Sequence, residues 1–316
     1  MIVRQGAPFV KSQMNVTYIS AVKLIALIPA VCAALVFYGL RAFILISFCA
    51  LLFTGCDEIC NLIKGVKQPR DLSSFVNGTV FALLLPPDTP LNVAAVGILF
   101  GSIAIRQLSG GRGSEFINPA AAGRIFVRIV FPLNETAFSV PGDNRLYLNS
   151  LLFGSEGFDP VNTSDFHITE ILAGRYPAFL GTSCSIMILA ALVYMIAKKA
   201  YKYYIPLSYI LTLTILLLLR DHMNGTNTTI VYLLTSGVLF TCVYLMCDEG
   251  TFLSFGPMAV LEAVFCAVFT FLISFKGTGI DVVVIPFVLT SLLTGVIRYA
   301  GTIMKTYTED RMRAES

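Results

Sequence analysis

Between Tyr18 and Tyr299 the chain is a succession of apolar runs separated by short polar clusters. A helix that crosses a bilayer needs roughly 20 mostly apolar residues, since each advances it by about 1.5 Å. Nine runs read as such helices: residues 18–38, 41–63, 91–107, 118–132, 178–198, 203–220, 229–247, 255–275 and 282–299. A tenth, residues 75–85, is too short to cross alone and ends at Pro86-Pro87-Asp88. This pattern excludes a water-soluble domain. The chain is 56% hydrophobic and 13% charged over 316 residues, against roughly 25% charged for soluble domains. A formal charge of +3 is too small to suggest a nucleic-acid partner. The polar start, residues 1–13, leads into a run long enough to remain as a membrane helix, so no cleaved leader is expected.

Counting the short run gives ten segments, five on each side of the polar stretch 133–172. The halves share an irregularity. Gly78 precedes a run that stops at Pro86-Pro87-Asp88, and Ser236-Gly237 precedes one that stops at Cys247-Asp248-Glu249. Broken segments at matching places mark inverted repeats with a central site. The expected fold is an all-α polytopic membrane protein of two inverted five-helix repeats with broken helices. Its parts are a first repeat (1–132), an external loop (133–172) and a second repeat (173–316).

Loop charges set the orientation, because Lys and Arg concentrate on the cytoplasmic side. Ten segments place both termini and the even-numbered loops together. That side holds fourteen basic residues, including Lys64, Arg112, Lys198 and Arg298; the other holds five. Both termini are expected in the cytoplasm of a bacterium, with the chain in its inner membrane.

The stretch Ser109-Gly110-Gly111-Arg112-Gly113, followed by Asn118-Pro119-Ala120-Ala121-Ala122-Gly123, is the richest in chemistry. Asn is a natural N-cap and Pro suits the first helical turn. Glycines let a backbone approach a ligand, and free amides at a helix start favour electron-rich groups. The same residues also suit a tight loop with a small-residue helix contact. Charges inside apolar segments usually carry function. Glu262 lies in the ninth segment, Arg124 and Arg128 in the fifth; Glu262 is a candidate for an ion pathway.

Other chemistries are absent from the sequence. The eight cysteines form no CxxC pair and mostly lie in apolar runs, where they pack as small hydrophobes. The two histidines, His167 and His222, fall in expected outer loops, which excludes a bis-histidine haem inside the bundle. No metal site and no catalytic constellation is expected.

The run from Ser109 to Pro132 resembles the D subunit of Rnf-type ferredoxin:NAD oxidoreductases and the B subunit of sodium-pumping NADH:quinone oxidoreductases. Tyr38-Gly39-Leu40-Arg41, Asp71-Leu72-Ser73-Ser74, Leu85-Pro86-Pro87, Leu180-Gly181, Ile205-Pro206 and Asp248 follow in the family's order. The resemblance implies a fold similar to urea transporters and a bound flavin: FMN joined to a Thr of the external loop, with riboflavin in some members. It also implies electron flow coupled to Na⁺ or H⁺ movement, with iron–sulfur and other membrane subunits as partners. On that basis Gly110, Gly111, Gly113, Asn118 and Pro119 are candidate cofactor-binding residues, with Thr182, Ser183 and Asp248 beside them. The broken helices are expected to hold the flavin ring. Where the attachment motif should stand, the chain reads Asp159-Pro160-Val161-Asn162-Thr163-Ser164-Asp165. Asp165 falls at the acceptor position, which leaves Thr163 or Ser164 as shifted candidates and puts covalent FMN in question. A small-solute transporter or a cofactor-less scaffold of the same fold are the alternatives.

Overall fold

The first two expected spans come out joined. In the computed structural model, helix α1 (Val16–Ile63) runs 48 residues and breaks at Gly39, where φ is 60° and ψ −142°. A straight helix of that length would measure about 72 Å, more than twice the roughly 30 Å of bilayer hydrocarbon. The break divides it into two helical stretches, in a backbone conformation open to glycine and strained for other residues.

The structure describes residues 16–65, 72–111, 115, 117–132, 168–174, 176, 178–198, 202–246, 256–275 and 279–297. After α1 come α2 (Ser73–Leu83), α3 (Leu91–Gln107), α4 (Pro119–Val130), α5 (Ile168–Ala173), α6 (Ser185–Ala197) and α7 (Tyr204–Asn224). The last are α8 (Thr229–Thr235), α9 (Val238–Phe240), α10 (Gly256–Ser274) and α11 (Asp281–Ile297). The second part of α3, Phe100–Gln107, is wound as π turns, and α9 continues into π turns over Thr241–Leu245. Among the described residues there is no β-strand.

Both short or broken segments lie where the sequence places them. α2 stops at Leu83, and residues 84–90 run on without a helix, fully inside the protein. Ser236-Gly237 separates α8 from α9, with Gly237 at φ 80°. Two expectations change. Residues 178–184, read as the start of a helix from their apolar composition, are buried but irregular, and α6 begins at Ser185. The short helix α5 occupies the end of the stretch expected as external loop.

α1, α7 and α10 are each long and apolar enough to cross a membrane. Their outward faces stay apolar: Val36, Leu51, Leu62, Leu211, Ile215 and Phe265 are all exposed. Such a surface is stable against lipid and not against water. Inside, one apolar cluster runs from Ala26 to Val288, so the halves share a core. Small residues bring the helices close, the usual packing device where lipid supplies no hydrophobic drive. A Cβ on Gly78 would stand 2.7 Å from the Cys49 carbonyl oxygen, and one on Gly123 2.7 Å from that of Gly97.

Candidate functional site

Two interrupted segments cross at the centre of the protein. The Gly181 amide donates to the Leu83 carbonyl at 2.7 Å, and the Leu180 amide to that of Leu85 at 3.3 Å. Backbone groups freed by a break in one half are thus satisfied by the other half, as a membrane interior demands. Tyr38 fastens the same place: its hydroxyl donates to the Ala178 carbonyl at 3.0 Å and accepts from the Ala178 amide at 3.2 Å. The crossing is closely packed. A Cβ on Gly181 would meet the Phe240 ring at 2.5 Å and the Leu83 carbonyl at 2.8 Å. The two breaks are bonded to each other and leave no space for a side chain at Gly181.

Buried ion pairs surround the crossing. Arg124, fully buried on α4, grips Asp281 at the start of α11 through Nε and Nη2, at 3.0 and 2.9 Å. Its guanidinium lies 5.1 Å from the Phe179 ring centre. Arg128, one turn on, stands 3.5 Å from the same carboxylate. Arg41 pairs with Asp88 at 2.8 Å and donates to the Asp88 carbonyl, tying α1 to the non-helical 84–90 stretch. Two-pronged guanidinium–carboxylate contacts fix geometry as well as charge.

A third cluster joins α1, α2 and α3. Arg106 contacts Asp57 at 3.2 Å and Glu115 at 3.1 Å, and donates to Ser73 Oγ at 2.6 Å. Asp57 also accepts from Ser74, Ser102 and Gln107. In the second half, Asp221 near the end of α7 accepts from the amides and hydroxyls of Thr228 and Thr229 and from the Thr226 hydroxyl. It caps α8 from outside the helix.

The residues singled out in the sequence are scattered among these features. Gly110 and Gly111 turn the chain after α3, at φ 105° and 90°, and the Gly111 amide donates to the Arg106 carbonyl. Asn118 caps α4 as expected, its Oδ1 accepting from the Ala120 and Ala121 amides, with Pro119 in the first turn. Those two amides are therefore taken by the protein itself. Thr182 and Ser183 lie at the crossing, where their hydroxyls donate to the Phe179 and Leu180 carbonyls. Glu262 is buried on α10 and accepts from the Thr294 hydroxyl. Gly113, Thr163, Ser164 and Asp248 lie outside the described residues. Among the described residues no group of His, Cys, Asp and Glu is arranged to hold a metal ion.

Sequence reading missed Asp57, Asp221 and Asp281 as partners. A signal existed for each, since all three are acids within or bordering apolar runs.

Apolar faces turned outward, helices broken inside and charges paired in the interior define a polytopic helical membrane protein. The chain belongs to the family described as NQR2, RnfD, RnfE, which it matches over residues 3–305. It is similar to the D subunit of the Na⁺-translocating ferredoxin:NAD⁺ oxidoreductase complex of Acetobacterium woodii. The identity is 26% over 275 residues, covering 86% of this chain and 85% of that protein. It is also similar to the D subunit of the ion-translocating oxidoreductase complex of Escherichia coli O139:H28, at 26% over 248 residues, 66% of this chain and 70% of that one.

Proposed function

We propose that the chain is the D-type membrane subunit of an ion-translocating electron-transport complex in a bacterial inner membrane, with both termini in the cytoplasm. The observation that carries this is similarity along nearly the whole chain to subunits bearing that name. In this reading the protein works beside iron–sulfur and other membrane subunits, and electron flow through the assembly drives Na⁺ or H⁺ across the membrane.

The proposed architecture is ten spans in two inverted repeats. One parallel supports it. In the first half Asp57, near the end of α1, takes the hydroxyl of Ser74 at the start of the short α2. In the second, Asp221, near the end of α7, takes the hydroxyl of Thr229 at the start of the short α8. Each half thus holds its interrupted helix by a carboxylate on the helix before it.

The closed crossing bears on the cofactor. A flavin, which supplies one- and two-electron chemistry when bound, finds no fit among the described side chains at that place. On this reading it is carried by residues outside those described, with Gly113, Thr163, Ser164 and Asp248 as the candidates. The closed crossing also argues against an open solute channel there.

Purification of the tagged full chain from its native membrane in mild detergent tests the reading. Co-elution of iron–sulfur subunits with ferredoxin- or NADH-linked activity is expected. A chain that elutes alone and moves a solute in liposomes would overturn it. Mass spectrometry of the intact chain and its extract reads the flavin: an added FMN mass, or released riboflavin, against neither.

A further inference from the structure

On one face of α10 every fourth residue is polar: Glu262, Cys266, Thr270 and Ser274. All four are buried. Residues four apart stack on one side of a helix, so they form a seam about 18 Å long within a hydrocarbon core of about 30 Å. The helices packed on that face continue it. On α11, Thr294 donates to the Glu262 carboxylate, and Thr290 stands one turn before it. The Cys266 thiol is within reach of the Thr290 and Thr270 hydroxyls. On α7, the fully buried Tyr209 meets the Thr270 hydroxyl at 3.0 Å.

The seam then reaches a second carboxylate. Arg220 donates to Ser274 at 3.5 Å and to Thr228 at 3.2 Å, and Thr228 donates to Asp221 at 2.8 Å. Tyr232 lies beside Arg220, whose guanidinium carbon is 5.8 Å from the tyrosine's ring centre, and its hydroxyl faces Ser274 and Ser236. Its buried hydroxyl makes no hydrogen bond of good geometry among the described residues. Buried polar groups are nearly always paired, by an ordered water where protein does not reach.

We propose that this seam is a proton path, with Glu262 as its protonatable station and a water at Tyr232 closing the gap. The proposal rests on the reading of the chain as part of an ion-translocating assembly and adds the species and the route. Each hydroxyl, and the Cys266 thiol, passes its hydrogen to the next acceptor as it takes one from behind. Arg220 only donates and keeps its proton, so the passage from Ser274 to Thr228 runs through the water at Tyr232. Glu262 gains a proton from one side and yields it to the other. No group is oxidised or reduced. At rest Thr270, Ser274 and Thr290 donate to carbonyls of their own preceding turns, and the single Thr294 hydrogen is shared between Glu262 and the Thr290 carbonyl. Threonine in a helix has two accessible χ1 wells, so rotation turns each toward its neighbour. A dehydrated metal ion asks for a shell of several oxygens around one point, whereas the seam presents its oxygens one turn after another.

The test uses the full chain in liposomes with a trapped pH dye, driven by a potassium diffusion potential. Proton uptake by the wild type is expected to exceed that of E262Q, T270V and Y209F by about tenfold. T270S, which keeps the hydroxyl, retains the flux. So does T214V, whose hydroxyl bonds only its own helix at Ile210. Variants are compared at equal reconstitution after matching size-exclusion profiles. In parallel, dicyclohexylcarbodiimide, which attacks protonated carboxyls in apolar surroundings, should label Glu262 with no protection by Na⁺. A wild type without proton flux, or seam variants as fast as wild type, overturns the path; protection by Na⁺ replaces it with a sodium site. Neither readout involves electron transfer or other subunits. A chain that relays protons but co-purifies with no oxidoreductase keeps this inference and loses the assembly reading, and the converse result does the opposite.

Discussion

Arg124 and Asp281 stand 157 positions apart in the chain and share two hydrogen bonds in its interior. Removing one member of a fully buried pair costs about 3–5 kcal/mol. Here Arg128, 3.5 Å from the same carboxylate, keeps part of the pairing and holds the loss below that. Arg124→Ala should therefore lower the thermal unfolding midpoint in detergent, read by size-exclusion chromatography after heating. Arg124→Lys keeps the charge without the second prong and falls between. An Arg124→Ala protein as heat-stable as wild type would show that the pair holds nothing.

Gly39 should tolerate no side chain cheaply. Its φ of 60° and ψ of −142° strain any residue with a Cβ by about 1–3 kcal/mol. Gly39→Ala is expected to lose stability by that amount in the same heating assay. Leu40→Ala, one position on and exposed, serves as the matched comparison and should move it little.

Asp221 serves the amides of both Thr228 and Thr229. In Asp221→Ala the Oδ2 that takes both amides is lost, leaving them without their partner at about 1–3 kcal/mol. Amide hydrogen exchange at Thr228 and Thr229 should speed up while α10 stays protected. Unchanged exchange at those two positions would refute the cap.

Asn118→Ala tests whether the helix start after the glycine loop is a cap or a ligand cradle. Loss of an N-cap costs about 0.5–2 kcal/mol and should accelerate exchange at Ala120 and Ala121. If the residue acts only as a cap, the flavin recovered from the native membrane complex stays the same. A flavin loss without faster exchange would assign Asn118 to the ligand.

The loop charges predict an outward-facing 133–172 stretch. A cysteine placed by Ser155→Cys should react with a membrane-impermeant maleimide in intact cells, above the background of the native thiols. One placed by Ala314→Cys should react only after the membrane is opened. The reverse pattern would invert the topology.

Much of the helical layout is legible in the sequence because it depends on composition over long windows. The breaks at Pro86-Pro87 and Ser236-Gly237, and the Asn118 cap, are legible because those residue types have fixed backbone habits. Residues 178–184 are misread for the same reason. An apolar run ordinarily means a helix in lipid, and here it is irregular because the Leu83 and Leu85 carbonyls take its amides. The ion pairs are not legible. Asp57 and Arg106, or Arg124 and Asp281, become partners only when distant helices meet, and no local pattern encodes that. The closed crossing was hidden too, since the absence of a side chain at Gly181 marks close contact as readily as room for a ligand.

The bond between the Gly181 amide and the Leu83 carbonyl has a consequence for how the molecule is made. While the ribosome is still adding the later segments, the end of α2 and the stretch after it have carbonyls with no mate in the oily interior. The early half must wait beside the insertion machinery, or sit shallow in the bilayer, until residue 181 arrives. A gene cut between residues 133 and 167 would then yield two fragments that mature together or are degraded apart.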